Sequence, residues 1–444
     1  MPAAVANRFD VAIVGAGAAG LAAARDLSRA GASVALLEAR SRLGGRVWTE
    51  RPAGWPVPLE LGAEFIHGRN AELFRDAAEA GLRVVRLTNA HFELRGSRLV
   101  SLGDVWGRFD AVLRRLSPPG RDRSIADFLR GRGRSLSAEQ KKLLISYVES
   151  YNAAPIETAS SRAFSTAGQP PVGDDDRAQF RLIDGYGSLI DWLASGIDPE
   201  RCKVFFSTVV RRIVWSRGRV RVATDRGDFR AGRILVTVSI GVLRAAAGSL
   251  GAIAFDPEPP PFRRALAGLA MGDVARLVLR FREPLWREAP RVEKARSARG
   301  TSGEEPDFFH FPSAAFPVWW TSAPIESPVL TAWAGGAAAQ AVLRLAPAVM
   351  LRDAIAALAS GLGVPARSIA RALLDWRLHD WTADPFSRGA YAHARVGGAS
   401  AAETLARPVQ GTLFFAGEAL GRDETGTVAG AIESGRRAAR RMAR

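Results

Sequence analysis

The sequence is poor in the residues that build metal and disulfide sites. It has one cysteine, Cys202, and five histidines that stand singly along 444 residues. A single cysteine excludes a disulfide framework and a thiolate metal cluster, and the histidines show no ligand spacing. We therefore predict no metal site and a chain held together by its hydrophobic cores, which 444 residues are enough to build.

Lysine is also scarce. Only four of the 61 basic residues are lysines, and the remaining arginines are spread along the chain. The formal net charge of +16 would suit a nucleic-acid partner, but no long basic run is interleaved with aromatic residues. A GC-rich genome that encodes arginine for most surface cations explains the charge more simply. We expect no nucleic-acid partner.

Long apolar runs are missing as well. The longest uncharged stretch near the N-terminus, Val11–Ala24, is shorter than the roughly 20 residues of a membrane-spanning helix. The sequence indicates no signal peptide and no transmembrane segment, and its last residues, RRMAR, form no apolar tail. We expect a cytoplasmic protein without a membrane anchor.

An apolar run and three glycines near the N-terminus indicate a dinucleotide site. Val11–Val14 is predicted to be a strand and Ala18–Ala30 a helix, with Gly15, Gly17 and Gly20 between and within them in G-x-G-x-x-G spacing. Gly15 permits the tight turn, Gly17 the approach of a pyrophosphate to the helix N-terminus, and Gly20 close packing of helix on sheet.

A carboxylate follows the next predicted strand. Ser33–Leu37 ends at Glu38, twenty-three positions after Gly15. A carboxylate at this point accepts hydrogen bonds from the ribose hydroxyls of an adenine nucleotide and disfavours a 2′-phosphate. Together the two features predict an adenine dinucleotide whose ribose is not phosphorylated.

Three further segments carry a family resemblance. They are Leu37–Arg46 (LEARSRLGGR), Glu60–Gly68 (ELGAEFIHG) and Phe414–Arg436 (FFAGEALGRDETGTVAGAIESGR). With the glycine motif, the chain resembles the flavin amine oxidases, which include monoamine oxidases, polyamine oxidases and histone lysine demethylases. The R-x-G-G-R run alone is shared with protoporphyrinogen oxidases, phytoene desaturases and L-amino-acid oxidases. The resemblance implies one FAD site built from both ends of the chain.

The resemblance also implies individual cofactor contacts. Arg46 matches an arginine that reaches the FAD pyrophosphate, and the helix beginning at Thr427 matches one whose N-terminus stabilises charge on the reduced flavin. The predicted cofactor residues are Gly15, Gly17, Ala18, Gly20, Glu38, Ala39, Arg40, Gly45, Arg46, Gly62, Ala63, Glu64, Val210, Trp381, Gly417, Glu418, Thr427 and Val428.

Three residues are implied to be catalytic. His67 matches a position that faces the substrate amine in polyamine oxidases. Tyr391 matches one wall of an aromatic cage that guides the amine; the other wall corresponds to Thr427, so the cage is half present. Arg276 replaces a family lysine that holds a water against flavin N5, and a guanidinium can orient water but cannot act as a base.

Other interpretations of these residues stay open. His67 could be a histidine satisfied in a turn, and Arg276 an ordinary strand arginine facing solvent. Ala390 replaces the flavin-linked cysteine of monoamine oxidases, so the resemblance implies non-covalent FAD. Phe65 and Trp320 are candidates for the substrate cavity, although core packing explains most aromatic residues nearby.

The predicted fold is α/β plus α+β, with a Rossmann-like FAD-binding domain interleaved with a mixed sheet-and-helix substrate-binding domain. We assign 1–75, 204–258 and 405–444 to the first domain, and 76–203 and 259–404 to the second.

The function implied by the resemblance is oxidative deamination of a small-molecule amine. It would proceed by hydride transfer to flavin N5, imine hydrolysis and reoxidation by O2 to give H2O2, in a possible homodimer. An L-amino-acid oxidase and a flavin amine dehydrogenase fit the same motifs. A FAD-containing regulatory or interaction protein also fits, if Arg276 marks lost catalysis.

Overall fold

The computed structural model describes residues 8–116, 121–166, 173–298, 306–312, 314–422 and 424–443. The predicted domains also contain residues outside these ranges, and those residues are not described. The strands, in chain order, are β1 (Arg8–Val14), β2 (Val34–Leu37), β3 (Thr49–Glu50), β4 (Leu59–Glu60), β5 (Phe65–His67), β6 (Val84–Arg86), β7 (His91–Arg95), β8 (Arg98–Ser101), β9 (Gln179–Leu182), β10 (Cys202–Phe205), β11 (Val210–Ser216), β12 (Arg219–Thr224), β13 (Gly227–Val236), β14 (Ala254–Asp256), β15 (Leu269–Gly272), β16 (Val274–Phe281), β17 (Phe308–His310), β18 (Val318–Thr321), β19 (Val329–Gly335), β20 (Leu373–Leu378), β21 (Tyr391–Ala394) and β22 (Leu413–Phe415). The helices are α1 (Ala18–Arg29), α2 (Ala71–Glu79), α3 (Val105–Leu113), α4 (Ile125–Arg130), α5 (Ala138–Ile145), α6 (Asp174–Arg177), α7 (Gly187–Ser195), α8 (Ile240–Leu243), α9 (Phe262–Ala267), α10 (Pro290–Ala298), α11 (Gly336–Leu343), α12 (Pro347–Leu362), α13 (Ala366–Ala372), α14 (Ala401–Leu405) and α15 (Val428–Met442).

The first large sheet joins the two ends of the chain. Its order is β10-β2-β1-β13-β12-β11-β14, and β22 pairs with β13. Strands β10, β2, β1, β13 and β22 run parallel to their neighbours in this group. Every residue of β2 is buried, as expected for a parallel strand covered on both faces. Helices α1 and α15 pack against each other in one of the two cores that flank this sheet.

The second large sheet has the order β20-β16-β19-β18-β17-β7-β8. Its pairs are antiparallel except for β17 with β7. One face packs on α12 through a core that includes Trp319, Phe309 and Leu277, all fully buried. The combination of a Rossmann-like sheet with a mixed sheet confirms the predicted fold class. The domain boundaries predicted from the sequence stay a prediction.

Helix α5 does not stop at its last α-helical residue but continues as a π-helical turn, Ser146–Tyr151. This turn packs under the end of β19, where a Cβ on Gly335 would lie 2.4 Å from the carbonyl oxygen of Ser150. The wider turn brings Tyr147 and Tyr151 into a stack with ring centroids 5.5 Å apart. π-Helical turns are frequent at functional sites, and Tyr151 lines the cavity described below.

Within the described ranges, no single helix has both the length and the apolar composition needed to cross a membrane. Helices α12 and α13 meet these criteria only as a pair, and they are bent by 118° at the break between them.

Candidate active site

One cavity connects the two halves of the fold, and nearly all predicted site residues line it. Among the predicted residues, Gly20 alone is absent from its wall. The predicted residues that line it are Gly15, Gly17, Ala18, Glu38, Ala39, Arg40, Gly45, Arg46, Gly62, Ala63, Glu64, Phe65, His67, Val210, Arg276, Trp320, Trp381, Tyr391, Gly417, Glu418, Thr427 and Val428.

The glycine turn sits where β1 passes into α1. Gly15 has φ +102°, a conformation that side chains other than glycine rarely adopt. A Cβ on Gly20 would lie 1.9 Å from the carbonyl oxygen of Gly15. Gly20 therefore lets helix and turn pack closely, and it does not line the cavity. Its assignment to the cofactor contacts stays a prediction.

Glu38 is held at the end of β2 by backbone donors. Its Oε2 accepts a hydrogen bond from the amide of Ala16 at 2.7 Å, and its Oε1 accepts one from the amide of Arg40 at 2.9 Å. The side chain is buried but lines the cavity. Each carboxylate oxygen accepts two hydrogen bonds, so both oxygens retain capacity for ribose hydroxyls.

Arg46, the last residue of the R-x-G-G-R run, and Arg40, two residues before that run, both line the cavity and form ion pairs. Arg40 Nη2 lies 2.7 Å from Oδ1 of Asp384, and Arg46 Nη1 lies 2.9 Å from Oε1 of Glu418. Burial alone would raise the pKa of Asp384, but hydrogen bonds from His379 and Arg40 hold that pKa well below its ordinary value. Both arginines are thus fixed in position by carboxylates.

Two helix N-termini face the same cavity. Helix α1 begins next to Gly17, and α15 begins after Thr427, whose hydroxyl accepts a hydrogen bond from the amide of Gly430 at 3.0 Å. Helix N-termini carry partial positive charge and stabilise anions. With Glu38 and Arg46, these groups fit a dinucleotide cofactor. Its pyrophosphate would lie at the N-terminus of α1, and a redox-active ring that gains negative charge on reduction would lie at the N-terminus of α15.

His67 belongs to a hydrogen-bonded group of aromatic residues. Its Nδ1 lies 2.9 Å from the hydroxyl of Tyr151, and the hydroxyl of Tyr391 donates to the backbone carbonyl of Tyr151 at 2.6 Å. Burial lowers the pKa of His67 to about 4, so the ring is neutral at pH 7. Burial also raises the pKa of Tyr391. The three side chains form an uncharged wall.

Arg276 lies inside the protein, so the solvent-facing interpretation is wrong. The residue is 5% exposed, and its Nη1 donates to the carbonyl of Gly62 at 2.5 Å. Its Nη2 pairs with Oε2 of Glu64, which also accepts from Nε1 of Trp320 at 3.0 Å. The other carboxylate oxygen, Oε1, lies 2.7 Å from Arg181. Arg276, Glu64 and Arg181 form a buried triad with one net positive charge.

Sequence reasoning missed Arg181 and Gln179. Both belong to β9, which pairs with β5 so that Arg181 stands opposite Phe65 and Gln179 opposite His67. Alternation along the strand would have placed these two residues on one face, but nothing local identified their partner strand. Gln179 lines the cavity, whereas Arg181 does not line it but pairs with Glu64, which does. The aromatic and histidine side chains of the cavity that belong to none of the quoted motifs include Trp106, Phe109, Tyr151, His91, Phe308, His310 and Trp333.

No cysteine is available to link a flavin here. The only cysteine of the sequence, Cys202, lies on β10 away from the cavity lining, whereas Ala390 lines the cavity. A buried thiol with a pKa raised to about 12 by desolvation is also a poor nucleophile.

Fold and site together define a protein that binds a dinucleotide cofactor next to an aromatic cavity. Residues 18–100 and 122–443 match the family described as flavin containing amine oxidoreductase, and the chain belongs to that family. It is therefore an enzyme of the flavin amine oxidase class. Its cofactor is FAD. Binding without a covalent link stays a prediction, which Ala390 in the cavity wall supports. The residue roles and the possible homodimer stay predictions.

Curated relatives match at moderate identity. Polyamine oxidase 2 of Arabidopsis thaliana is 27% identical over 97% of this chain and 87% of its own length. Lysine-specific histone demethylase 2 of Homo sapiens is 28% identical over 98% of this chain and 53% of its own length. The chain spans less than two thirds of the length of five related lysine-specific histone demethylases from plants and human, from 30% to 58%.

Solved structures share the fold over almost the whole chain. Wild-type putrescine oxidase bound to putrescine superposes with a TM-score of 0.77 at 22% identity, covering 98% of both chains. Cyclohexylamine oxidase from Brevibacterium oxydans IH-35A gives a TM-score of 0.77 at 20% identity, also covering 98% of both chains. At this identity the match concerns the fold, not the substrate.

Proposed function

We propose that this enzyme oxidises a primary or secondary amine with an apolar or aromatic arm. Bound FAD would supply the hydride acceptor, and its reoxidation by O2 would give H2O2 while the imine product hydrolyses in water. The observation that carries the proposal is one cavity that joins the cofactor motifs to a wall of uncharged aromatic side chains, Phe65, Tyr151, Phe308 and Trp320.

The carboxylates of the cavity support a monoamine rather than a polyamine. Three acidic residues line the cavity among those that the structure describes: Glu38, Glu64 and Glu418. Glu38 accepts hydrogen bonds from two backbone amides and is assigned to the ribose hydroxyls of the cofactor, Glu64 is held by Arg276 and Arg181, and Glu418 is paired with Arg46. A second ammonium group would enter the cavity without a free carboxylate, and burying an unpaired charge is costly.

The arginines of the cavity support an amine rather than an amino acid. In the described part of the chain, Arg40, Arg46 and Arg276 line the cavity, and each is paired with a carboxylate of the protein. An L-amino-acid oxidase needs a cation for the substrate carboxylate, and these three are already engaged.

The residues around His67 give the reacting amine an uncharged environment. A neutral imidazole does not repel the substrate nitrogen and can exchange a hydrogen bond with it, and Tyr151 fixes the ring through Nδ1. The electron-rich face of Tyr391 can accept an N–H of the uncharged amine. We assign these residues to binding and orienting the amine in its uncharged, reactive form.

The substrate class is tested by H2O2 production from benzylamine, putrescine, spermidine and L-phenylalanine. We expect kcat/KM to be highest for benzylamine, because it brings one nitrogen and an apolar arm. A higher value for putrescine, spermidine or L-phenylalanine would overturn the proposal. Benzylamine turnover with an artificial electron acceptor but without O2 consumption would identify a dehydrogenase instead.

Arg276 is proposed to assist reoxidation by electrostatics, since a permanent cation stabilises negative charge beside it. We expect Arg276→Met to slow reoxidation of the pre-reduced flavin by O2 about tenfold or more, while reduction by benzylamine changes less. Arg276→Lys retains a cation and adds a group that can release its proton, so reoxidation should be at least as fast as in the wild type. Stopped-flow absorbance measures both half-reactions.

Arg280→Met is the matched control for this prediction. Arg280 is four residues further along β16, donates to the carbonyl of Gly54 and does not line the cavity. Equal reoxidation rates in the wild type, Arg276→Met and Arg280→Met would remove Arg276 from the reaction.

A further inference from the structure

A pair of histidines, one buried and one half-buried, lies in the cavity wall, and neither is used by the proposed chemistry. His91, on β7, and His310, on β17, both line the cavity. Nδ1 of His91 lies 2.9 Å from Nε2 of His310, and the His91 ring stacks on Phe308 with centroids 4.4 Å apart and a 6° interplanar angle. Phe308 in turn contacts Phe65, with centroids 5.7 Å apart.

These contacts connect the histidine pair to His67 through aromatic side chains of the same cavity wall. From His67 the aromatic contacts run through Phe65 and Phe308 to His91. An amine held beside His67 would therefore extend its apolar arm along Phe65 and Phe308. Along this path the far end of the arm would approach the histidine pair.

Nε2 of His91 has no hydrogen-bond partner among the described residues, although it is buried and its residue is only 6% exposed. Gln179, which lines the same cavity, has an equally buried and unpartnered Oε1. Buried polar atoms in proteins are normally paired with protein or with an ordered ligand. Two such atoms in one cavity wall point to a polar group that binds there.

The pair can offer either a donor or an acceptor. If His91 donates through Nδ1, its Nε2 is an acceptor; if His310 donates through Nε2, then Nε2 of His91 carries the proton. Burial lowers the pKa of His310 to about 4 and that of His91 well below its ordinary value. The neighbouring carboxylate, Glu93, is already paired with Arg95 at 2.9 Å and Lys142 at 3.1 Å. Two neutral rings suit an uncharged ligand group.

We propose that Nε2 of His91 binds a neutral oxygen substituent, a hydroxyl or an ether oxygen, at the far end of the substrate's aromatic or apolar arm. The proposal rests on the proposed function and narrows its substrate class. A hydroxyl suits the site best, because it can donate or accept as the tautomers of the pair require. A charged group at this end of the arm would find no free counter-ion in the described part of the wall.

Three arylalkylamines that differ at one position test the proposal: tyramine (para-hydroxyl), 4-methoxyphenethylamine and 4-methylphenethylamine. In the FAD-loaded wild type we expect kcat/KM for tyramine to exceed that for the 4-methyl analogue by roughly three- to tenfold, the effect of one net hydrogen bond. The methoxy analogue should lie between them. In His91→Phe the ratio of kcat/KM for tyramine to kcat/KM for the 4-methyl analogue should fall to about one, whatever the absolute rates of the variant.

His393→Phe is the matched control. His393 is also buried and both its ring nitrogens lack partners among the described residues, but it does not line the cavity. Its replacement should leave the tyramine advantage unchanged. If His91→Phe does not fold, His310→Phe is the second test. It removes the hydrogen bond to Nδ1 of His91 and should lower the ratio of kcat/KM for tyramine to that for the 4-methyl analogue.

The outcomes separate this inference from the proposed function. A wild-type ratio of one or less, or a ratio unchanged by replacing His91 or His310, would overturn the inference while amine oxidation stands. Failure of all three amines to reduce the bound flavin under anaerobic conditions would instead overturn the proposed function.

Discussion

Replacing Glu64 by leucine is expected to lower the free energy of unfolding by about 3–5 kcal/mol. Glu64 is the only carboxylate in direct contact with Arg276 and Arg181 in the described structure, and the side chains of both arginines are less than a tenth exposed. The substitution leaves two buried guanidinium groups without a counter-ion. Urea unfolding of the flavin-free protein, followed by tryptophan fluorescence, measures the difference.

The matched control is Glu403→Leu. Glu403 pairs with Arg407 across one helical turn at 3.6 Å, and both side chains are more than 70% exposed. Exposed pairs of this kind contribute about 0–1 kcal/mol, so Glu403→Leu should change stability little. Equal, small effects of the two substitutions would contradict the buried triad.

Glu38→Ala should weaken FAD binding by at least about tenfold, because hydrogen bonds to a charged group contribute about 1.5–3 kcal/mol each. The carboxylate is buried in the cavity wall and oriented by the amides of Ala16 and Arg40. Alanine removes the acceptors for the ribose hydroxyls and leaves those two amides unpaired. Quenching of flavin fluorescence on titration into the flavin-free protein measures the dissociation constant.

Glu403→Ala again provides a control carboxylate, remote from the cavity lining. The dissociation constant of the Glu403→Ala protein for FAD should equal that of the wild type. A Glu38→Ala protein that keeps its full flavin content through extended dialysis would remove Glu38 from the ribose site. A matched unfolding curve of the flavin-free variant separates lost binding from lost stability.

The cofactor half of the site could be predicted because its determinants are local. The turn at Gly15 and the carboxylate at Glu38 depend on short spacings along the chain, and each follows a strand whose apolar run is readable. The closing segment is equally local, since Thr427 caps the helix that it precedes. The predictions for Gly15 and Glu38 needed only one strand-helix-strand segment of the sequence, whereas the role of the helix after Thr427 was implied by the family resemblance.

The substrate half could not be predicted in the same way. Arg181 meets Glu64 across 117 positions, and His91 meets His310 across 219. These contacts depend on which strands are neighbours in the sheets, and no local spacing records that choice. The family resemblance indicated Arg276 but not the triad that buries it, so the solvent-facing alternative stayed open until the sheet was known.

Anaerobic titration of the purified holoenzyme with benzylamine tests the central claim most directly. An enzyme that oxidises amines through bound FAD should lose its yellow flavin absorbance in proportion to the amine added and regain it on admission of air, with H2O2 formed. Acid denaturation of the same sample should release the FAD from the precipitated chain. Flavin absorbance that stays unchanged with every amine tested would contradict the account and favour a FAD-containing regulatory protein.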